Sequence, residues 1–121
     1  MTKTAPRVPL STQTMAKVDA IVDACDRYGV AYFDVDGTIL DDNAMPNAQV
    51  LALLAYLHER GVRIYLWSAG GEENCRVAAA RCGIEKLVTA FLPKPVISVD
   101  DMRYDDYVFL KLHPADLAPK D

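Results

Sequence analysis

The amino-acid sequence predicts an α/β fold, a Rossmann-like three-layer sandwich in which helices cover both faces of a mostly parallel sheet. Apolar runs of strand length alternate along the chain with amphipathic segments of helix length, a pattern typical of parallel α/β domains. The 121 residues fit one compact domain, and a hydrophobic content of 51% is enough to fill its core. We expect residues 1–14 to form a loose N-terminal tail and residues 15–121 to form the single domain.

Three segments show the apolar spacing of helices. In the first of them, Met15, Val18 and Val22 recur at the intervals that place side chains on one helix face. A glycine follows each segment, and glycine readily takes the left-handed conformation that ends many helices. The predicted helices are residues 15–27, 47–60 and 72–82, and the glycines that follow them are Gly29, Gly61 and Gly83.

Apolar runs between and after these helices predict the strands. They span residues 30–36, 62–68, 87–92 and 96–101, with a last edge strand at 107–112. Three of these runs end in polar residues, namely the pair Asp34 and Asp36, then Ser68, then the pair Asp100 and Asp101. Ligands of parallel sheets bind outside the carboxyl ends of the strands, so the three endings predict one shared site.

The spacing of Asp34 and Asp36 indicates a metal. Residues two apart in extended backbone point to the same side, so their carboxylates repel each other. A divalent cation relieves this repulsion, and Mg²⁺ prefers oxygen ligands while keeping several waters. Asp100 or Asp101 would add a third oxygen. The competing interpretation of a lone Asp-x-Asp is a solvated turn, and the second acidic pair downstream favours the metal.

The same endings carry a family resemblance. "FDVDGTIL" (33–40) resembles the first motif of the haloacid dehalogenase-like (HAD) phosphatases, "IYLWSAGG" (64–71) their second, and "VISVDD" (96–101) their fourth. The resemblance covers about Ala31 to Asp101, more than half of the chain. It implies a small HAD-like fold without a cap domain, since the nine positions from Thr38 to Asn47 leave room only for a short flap.

The resemblance also implies a role for each site residue. Asp34 would be the nucleophile that forms an aspartyl-phosphate, and Asp36 would be the general acid and then the general base. The phosphate would be bound by Ser68, by the Ala69 N–H and by Lys94, which matches the family's lysine. Mg²⁺ would be held by Asp34 and Asp36, the latter through its backbone carbonyl, with Asp100 or Asp101 completing the site.

The position of Lys94 conflicts with this assignment. If residues 96–100 form an extended strand, Lys94 lies about 20 Å from Asp100 and therefore at the opposite edge of the sheet. Two alternatives remain open at this stage. Either residues 93–96 bend back towards the site, or Lys94 is a structural residue.

These observations predict a Mg²⁺-dependent phosphomonoester hydrolase with an open active site, acting on a phosphorylated substrate whose identity the sequence does not give. The alternative is a non-catalytic or regulatory module of the same fold that binds metal or a partner without turnover. A net charge of −4 without a long run of one sign argues against a nucleic-acid partner.

The remaining expectations concern environment and assembly. Cys25, Cys75 and Cys82 form an odd set without CxxC spacing, which predicts small buried residues in a reducing cytoplasm. No apolar run reaches the roughly 18 residues of a membrane helix, so no membrane is expected. An open site in so small a chain makes a homo-oligomer a candidate assembly.

Overall fold

The computed structural model describes residues 8–25 and 29–120. Within these residues three strands and three longer helices alternate, followed by a short helix. In chain order they are α1 (Thr12–Ala24), β1 (Val30–Asp34), α2 (Ala48–Glu59), β2 (Arg63–Ser68), α3 (Glu72–Cys82), β3 (Val88–Pro93) and α4 (Tyr104–Tyr107), with 3-10 turns at Glu85–Leu87 and Pro114–Leu117.

The three strands form one open parallel sheet in the order β1-β2-β3. The register pairs Asp34 with Trp67 and, on the other side of β2, Ser68 with Pro93. Because the strands are parallel, their carboxyl ends lie at one edge of the sheet. Asp34, Ser68 and Lys94, which directly follows β3, therefore meet at this edge.

The helices α2 and α3 cover one face of the sheet. Both contact β2, whose fully buried side chains Ile64 and Leu66 point towards that face. Two successive right-handed crossovers that step in the same direction put both helices on the same side, which the strand order 1-2-3 imposes. The expectation that these crossover helices cover both faces is therefore wrong for the described residues, and the sheet is entirely rather than mostly parallel.

The opposite face carries aromatic side chains. The ring centroid of Tyr32 lies 4.7 Å from that of Trp67 and 5.3 Å from that of Tyr65. Tyr32 is 48% exposed, and Tyr65 and Trp67 are half-buried. Trp67 thus belongs to an open aromatic face.

Local signals explain where the helices begin and end. The Asn47 side chain accepts hydrogen bonds from the backbone of Gln49 and Val50 and so caps α2. Gly83 takes the left-handed conformation (φ 69°) directly after α3, as predicted. The predicted bounds of α3 are confirmed. None of the helices described is long and apolar enough to cross a membrane.

The helix α1 differs from its prediction at both ends. It begins at Thr12, capped by Ser11, and not at Met15, because the Ser11 hydroxyl accepts from the Thr14 N–H. Residues 12–14 thus belong to the helix and not to the predicted tail, whose residues 1–7 lie outside the described part. The helix ends at Ala24, well before Gly29, and Cys25 is exposed where a buried thiol was expected.

Two strand predictions are wrong. Residues 96–101 and 107–112 contain no strand, and the third strand of the sheet is β3, at the segment predicted as 87–92. Val96 is 97% exposed, Ile97 84% and Val99 96%, so the apolar run at 96–99 has no core to pack against within the chain. The apolar pattern of a strand was present, but the segment pairs with neither outer strand of the sheet.

Candidate functional site

The end of β1 supplies the first carboxylate. Asp34 is the last residue of the strand, and its Oδ2 accepts a hydrogen bond of 3.3 Å from the Thr38 hydroxyl. The chain then turns over Val35, whose carbonyl accepts from the Thr38 N–H, and Gly37 adopts φ 78°. The strand β1 therefore ends at Asp34, and Asp36 forms an isolated bridge with Leu40, so the premise that the strand runs extended through Asp36 is wrong.

The end of β2 supplies a buried hydroxyl. Ser68 is 1% exposed, and its Oγ accepts from the Gly70 N–H at 3.0 Å and from the Asn74 amide at 2.8 Å. A Cβ at Gly70 would lie 3.2 Å from the Asn74 amide nitrogen and 3.3 Å from Ser68 Oγ, so glycine allows this close approach. The Ser68 O–H remains the group that can donate to a ligand, and Ala69 lies exposed beside it.

Asn74 joins two of the strand ends. Its side-chain nitrogen, which carries two protons, donates to Ser68 Oγ and also to Asp36 Oδ2 at 3.2 Å. Asn74 lies in the first turn of α3, so the helix that follows β2 orients the acid that follows β1. This contact brings Asp36 and Ser68 together, as the sequence predicted.

Lys94 completes the cluster. Its ammonium nitrogen lies 3.1 Å from Asp34 Oδ1 and 5.7 Å from the centroid of the Trp67 ring. Its backbone N–H donates to the Ser68 carbonyl at 2.9 Å, which fixes the residue beside β2. The geometric objection to Lys94 is therefore wrong, because it assumed a strand at 96–100. The strand is β3 instead, and Lys94 directly follows its carboxyl end.

Asp100 and Asp101 are not brought to this cluster. Both are exposed and lie outside any strand, and Asp100 Oδ1 accepts from the Met102 N–H at 3.0 Å. Among the residues that the structure describes, no three His, Cys, Asp or Glu side chains are grouped as metal ligands. One chain thus gathers Asp34, Asp36, Ser68 and Lys94 but leaves the second acidic pair in solvent.

The side chains of the cluster are compatible with one of the usual ways in which proteins bind Mg²⁺. Mg²⁺ is commonly held by one or two carboxylates together with waters and the oxygens of a substrate phosphate. Asp34 and Asp36 provide two carboxylates at an open edge, and Asp36 is exposed. The Lys94 ammonium already neutralises part of the charge on Asp34. The described cluster therefore suits Mg²⁺ that arrives with a phosphate ligand.

Cys75 lies beneath the cluster and is fully buried. Burial raises the pKa of its thiol above the ordinary value, and the charges of Asp34, Asp36 and Glu72 raise it further. A raised pKa keeps the thiol protonated at neutral pH, and a protonated thiol is a poor nucleophile. Cys75 therefore packs below the cluster as a buried, protonated thiol.

Sequence reasoning missed Asn74 and Thr38 as members of the site. Thr38 follows the two acids directly, where a hydroxyl can reach back to the end of the strand. Asn74 follows Ser68 by six positions and stands in the first turn of the next helix. An uncharged side chain with both donor and acceptor atoms at that place is the signal that could have indicated a bridging role.

Comparisons with family models, with curated proteins and with solved structures found no match to this chain.

Proposed function

We propose that this chain is a Mg²⁺-dependent phosphomonoester hydrolase of HAD-like fold that acts through an aspartyl-phosphate intermediate at an open site. The observation that carries the proposal is the ion pair between Lys94 and Asp34, at the edge where Asp36 and Ser68 also meet. A carboxylate nucleophile, a second carboxylate, a hydroxyl donor and a fixed cation are the groups that phosphoryl transfer needs.

Each residue has a chemical task in the proposed reaction. An Asp34 oxygen attacks phosphorus, the bond to the ester oxygen breaks, and the leaving oxygen takes a proton from Asp36. Water then attacks phosphorus while Asp36 takes its proton, the bond from phosphorus to the Asp34 oxygen breaks, and inorganic phosphate leaves with Asp34 restored as a carboxylate. Lys94 and the Ser68 hydroxyl stabilise negative charge on the phosphoryl oxygens. Bound Mg²⁺ would be held by Asp34 and Asp36 and would add further charge stabilisation.

The two contacts on Asp34 support its assignment as nucleophile. Lys94 holds one carboxylate oxygen and the Thr38 hydroxyl holds the other, so the group is oriented before substrate arrives. Asp36 is more exposed, and its side chain accepts a hydrogen bond from the neutral amide of Asn74.

The direct test is hydrolysis of an aryl phosphate by purified protein with Mg²⁺. We expect the Asp34→Asn variant to lose activity to background, because an amide neither attacks phosphorus nor forms the intermediate. Asp42→Asn is the matched control, since Asp42 is an exposed aspartate of the nearby loop and should keep wild-type activity. Hydrolysis by Asp34→Asn at a rate close to wild type would overturn the nucleophile assignment.

The second candidate is a module of the same fold that binds Mg²⁺ or a partner without turnover. The position of Asp100 and Asp101 in solvent favours it, because a single chain then offers only two carboxylates. Calorimetric titration with Mg²⁺ alone, together with assays on a panel of phosphate esters, separates the two. Mg²⁺ binding without hydrolysis of any ester would support this second candidate.

The setting that we propose is the cytoplasm, with a phosphorylated molecule as substrate. All three cysteines are free thiols, and Cys25 is exposed, which suits a reducing compartment.

A further inference from the structure

We propose that Asn74 is a positioning residue of the candidate site, whose side-chain amide sets the directions of the Ser68 hydroxyl and of the Asp36 carboxylate together. Asn74 acts through these two residues and not on the substrate itself. The tasks of Ser68 and Asp36 rest on the proposed function, whereas the hydrogen bonds that carry the proposal are those of the structure.

The first observation is that one amide nitrogen serves two partners. Asn74 Nδ2 lies 2.8 Å from Ser68 Oγ and 3.2 Å from Asp36 Oδ2. A carboxylate oxygen only accepts hydrogen bonds, so the nitrogen of the amide and not its oxygen has to face Asp36. This nitrogen carries two protons, one for each partner, whereas a hydroxyl at the same place could donate to only one of them.

The second observation is the set of donors around the Ser68 hydroxyl. Its Oγ accepts from the Asn74 amide and, at 3.0 Å, from the Gly70 N–H. A hydroxyl has two acceptor lone pairs and one proton, so these two donors occupy both acceptor positions. The Ser68 proton is left with the one remaining direction, because neither donor can accept it. Asn74 thus keeps Ser68 in the donor role that phosphate binding requires.

The third observation is the exposure of Asp36, which follows the end of β1. An exposed side chain exchanges among its rotamers unless a partner holds it. Asn74 is half-buried in the first turn of α3, so its hydrogen bond ties the exposed acid to a regular helix. A general acid has to lie within hydrogen-bond reach of the atom that takes its proton, and a restrained carboxyl meets this condition more often than a mobile one.

The chemistry of the amide explains why asparagine suits this place. The N-cap of α3 is Gly71, and the Asn74 amide donates to Ser68 and Asp36 and so does not cap the helix. Asparagine also favours a helix less than alanine or leucine does. A basic side chain would form an ion pair with Asp36, and an acidic one would accept the Ser68 proton. A neutral amide donates to both residues and leaves the Ser68 proton for a ligand.

A double-mutant cycle on phosphate binding tests the link to Ser68 without any assay of activity. The probe is inorganic phosphate, titrated by calorimetry in the presence of Mg²⁺. We expect Asn74→Leu to raise the Kd about tenfold, the effect of misdirecting one hydrogen bond to a charged group. In the Ser68→Ala background the same substitution should leave the Kd unchanged, because no hydroxyl remains to be oriented.

Two further variants control for loss of an amide and for misfolding. Asn43→Leu is the matched control, because it removes an exposed amide from the loop between β1 and α2 and should leave the Kd unchanged. Asn74→Ala introduces a side chain too small to clash and should give the same dependence on Ser68 as Asn74→Leu. Circular dichroism checks that each variant is folded.

Steady-state kinetics with phenyl phosphate test the link to Asp36. We expect Asn74→Leu to lower kcat about ten- to a hundredfold, because a displaced acid loses part of the roughly hundred- to ten-thousandfold contribution of general acid–base catalysis. The loss in kcat should persist in the Ser68→Ala background, where the effect on the phosphate Kd is absent. A residue that only fills space would change each quantity by the same factor in both backgrounds.

The outcomes separate failure of the positioning role from failure of the proposed function. Equal losses of phosphate affinity from Asn74→Leu with and without the Ser68 hydroxyl would overturn the positioning role. Wild-type values of both Kd and kcat in Asn74→Leu would also overturn it and would keep the hydrolase. Phosphate binding that depends on Asn74 only when Ser68 is present, in a protein that hydrolyses no ester, would keep the positioning role and overturn the hydrolase.

Discussion

Replacing Lys94 by Met should lower kcat far more than it lowers stability. The Lys94–Asp34 pair is partly solvated, with side chains 38% and 32% exposed at a separation of 3.1 Å. Exposed ion pairs contribute about 0.2–1 kcal/mol to folding, because solvent screens them and ordering two side chains costs entropy. The free energy of unfolding should therefore fall by less than about 1 kcal/mol.

The expected loss in the reaction is larger. In the proposed transition state, Lys94 faces negative charge on the phosphoryl oxygens, and removing one oriented donor of this kind costs about 2.7–4 kcal/mol, or about a hundred- to a thousandfold in kcat. Steady-state kinetics with an aryl phosphate and urea denaturation measure the two quantities on the same variant. Lys86→Met is the matched control, because Lys86 is exposed on the turn before β3.

A kcat for Lys94→Met within a few-fold of wild type would refute this reasoning, because Lys94 would then neutralise Asp34 without contacting the phosphoryl group. A large loss of stability together with the loss of rate would also contradict it, since the variant would then report on folding.

Three further predictions concern the core and the titrating groups. Leu54→Ala should lower the free energy of unfolding by about 2–5 kcal/mol in urea denaturation, because Leu54 is fully buried in α2 and its loss leaves a cavity; a loss below this range would mean that the core closes over the gap. Burial and the hydrogen bond to Asp19 raise the pKa of Tyr56 above its usual 10.0. The protonated phenol therefore stabilises the fold fully below pH 10, and this contribution is lost as the pH rises through the pKa of the folded state. In urea denaturation across about pH 8–11, the free energy of unfolding of Tyr56→Phe should fall less steeply with pH than that of wild type. With a thiol-specific reagent at neutral pH, exposed Cys25 should react at once and Cys75 only on unfolding, because burial raises the pKa of Cys75 and shields it; early labelling of Cys75 by mass spectrometry would contradict this.

The parts of the fold that local sequence determines were predictable. The prediction of α3 was correct because local residues mark both of its ends. Gly83 ends the helix in the left-handed conformation, and Gly71 (φ 99°) directly precedes it. The bounds predicted for β2 were correct within one residue, because its apolar run lies between Gly61, which follows α2, and the polar residue Ser68. The convergence of Asp34, Asp36 and Ser68 followed from the rule that parallel strands end at one edge.

The rest depends on which strand occupies which position, and a single sequence does not encode this locally. Residues 96–99 have the apolar pattern of a buried strand, yet the structure leaves them in solvent, because an apolar pattern alone does not determine which segments pair in the sheet. Lys94 was misjudged for the same reason. Its distance from the site was calculated from a strand that does not form, whereas the correct reference was the end of β3.

One backbone contact accounts for the position of Lys94. The hydrogen bond from the Lys94 N–H to the Ser68 carbonyl holds Lys94 at the end of β3, where its ammonium reaches Asp34. The same contact fixes the carboxyl end of β3 beside that of β2, so Asp34, Ser68 and Lys94 lie at one edge of the sheet although residues 96–101 form no strand.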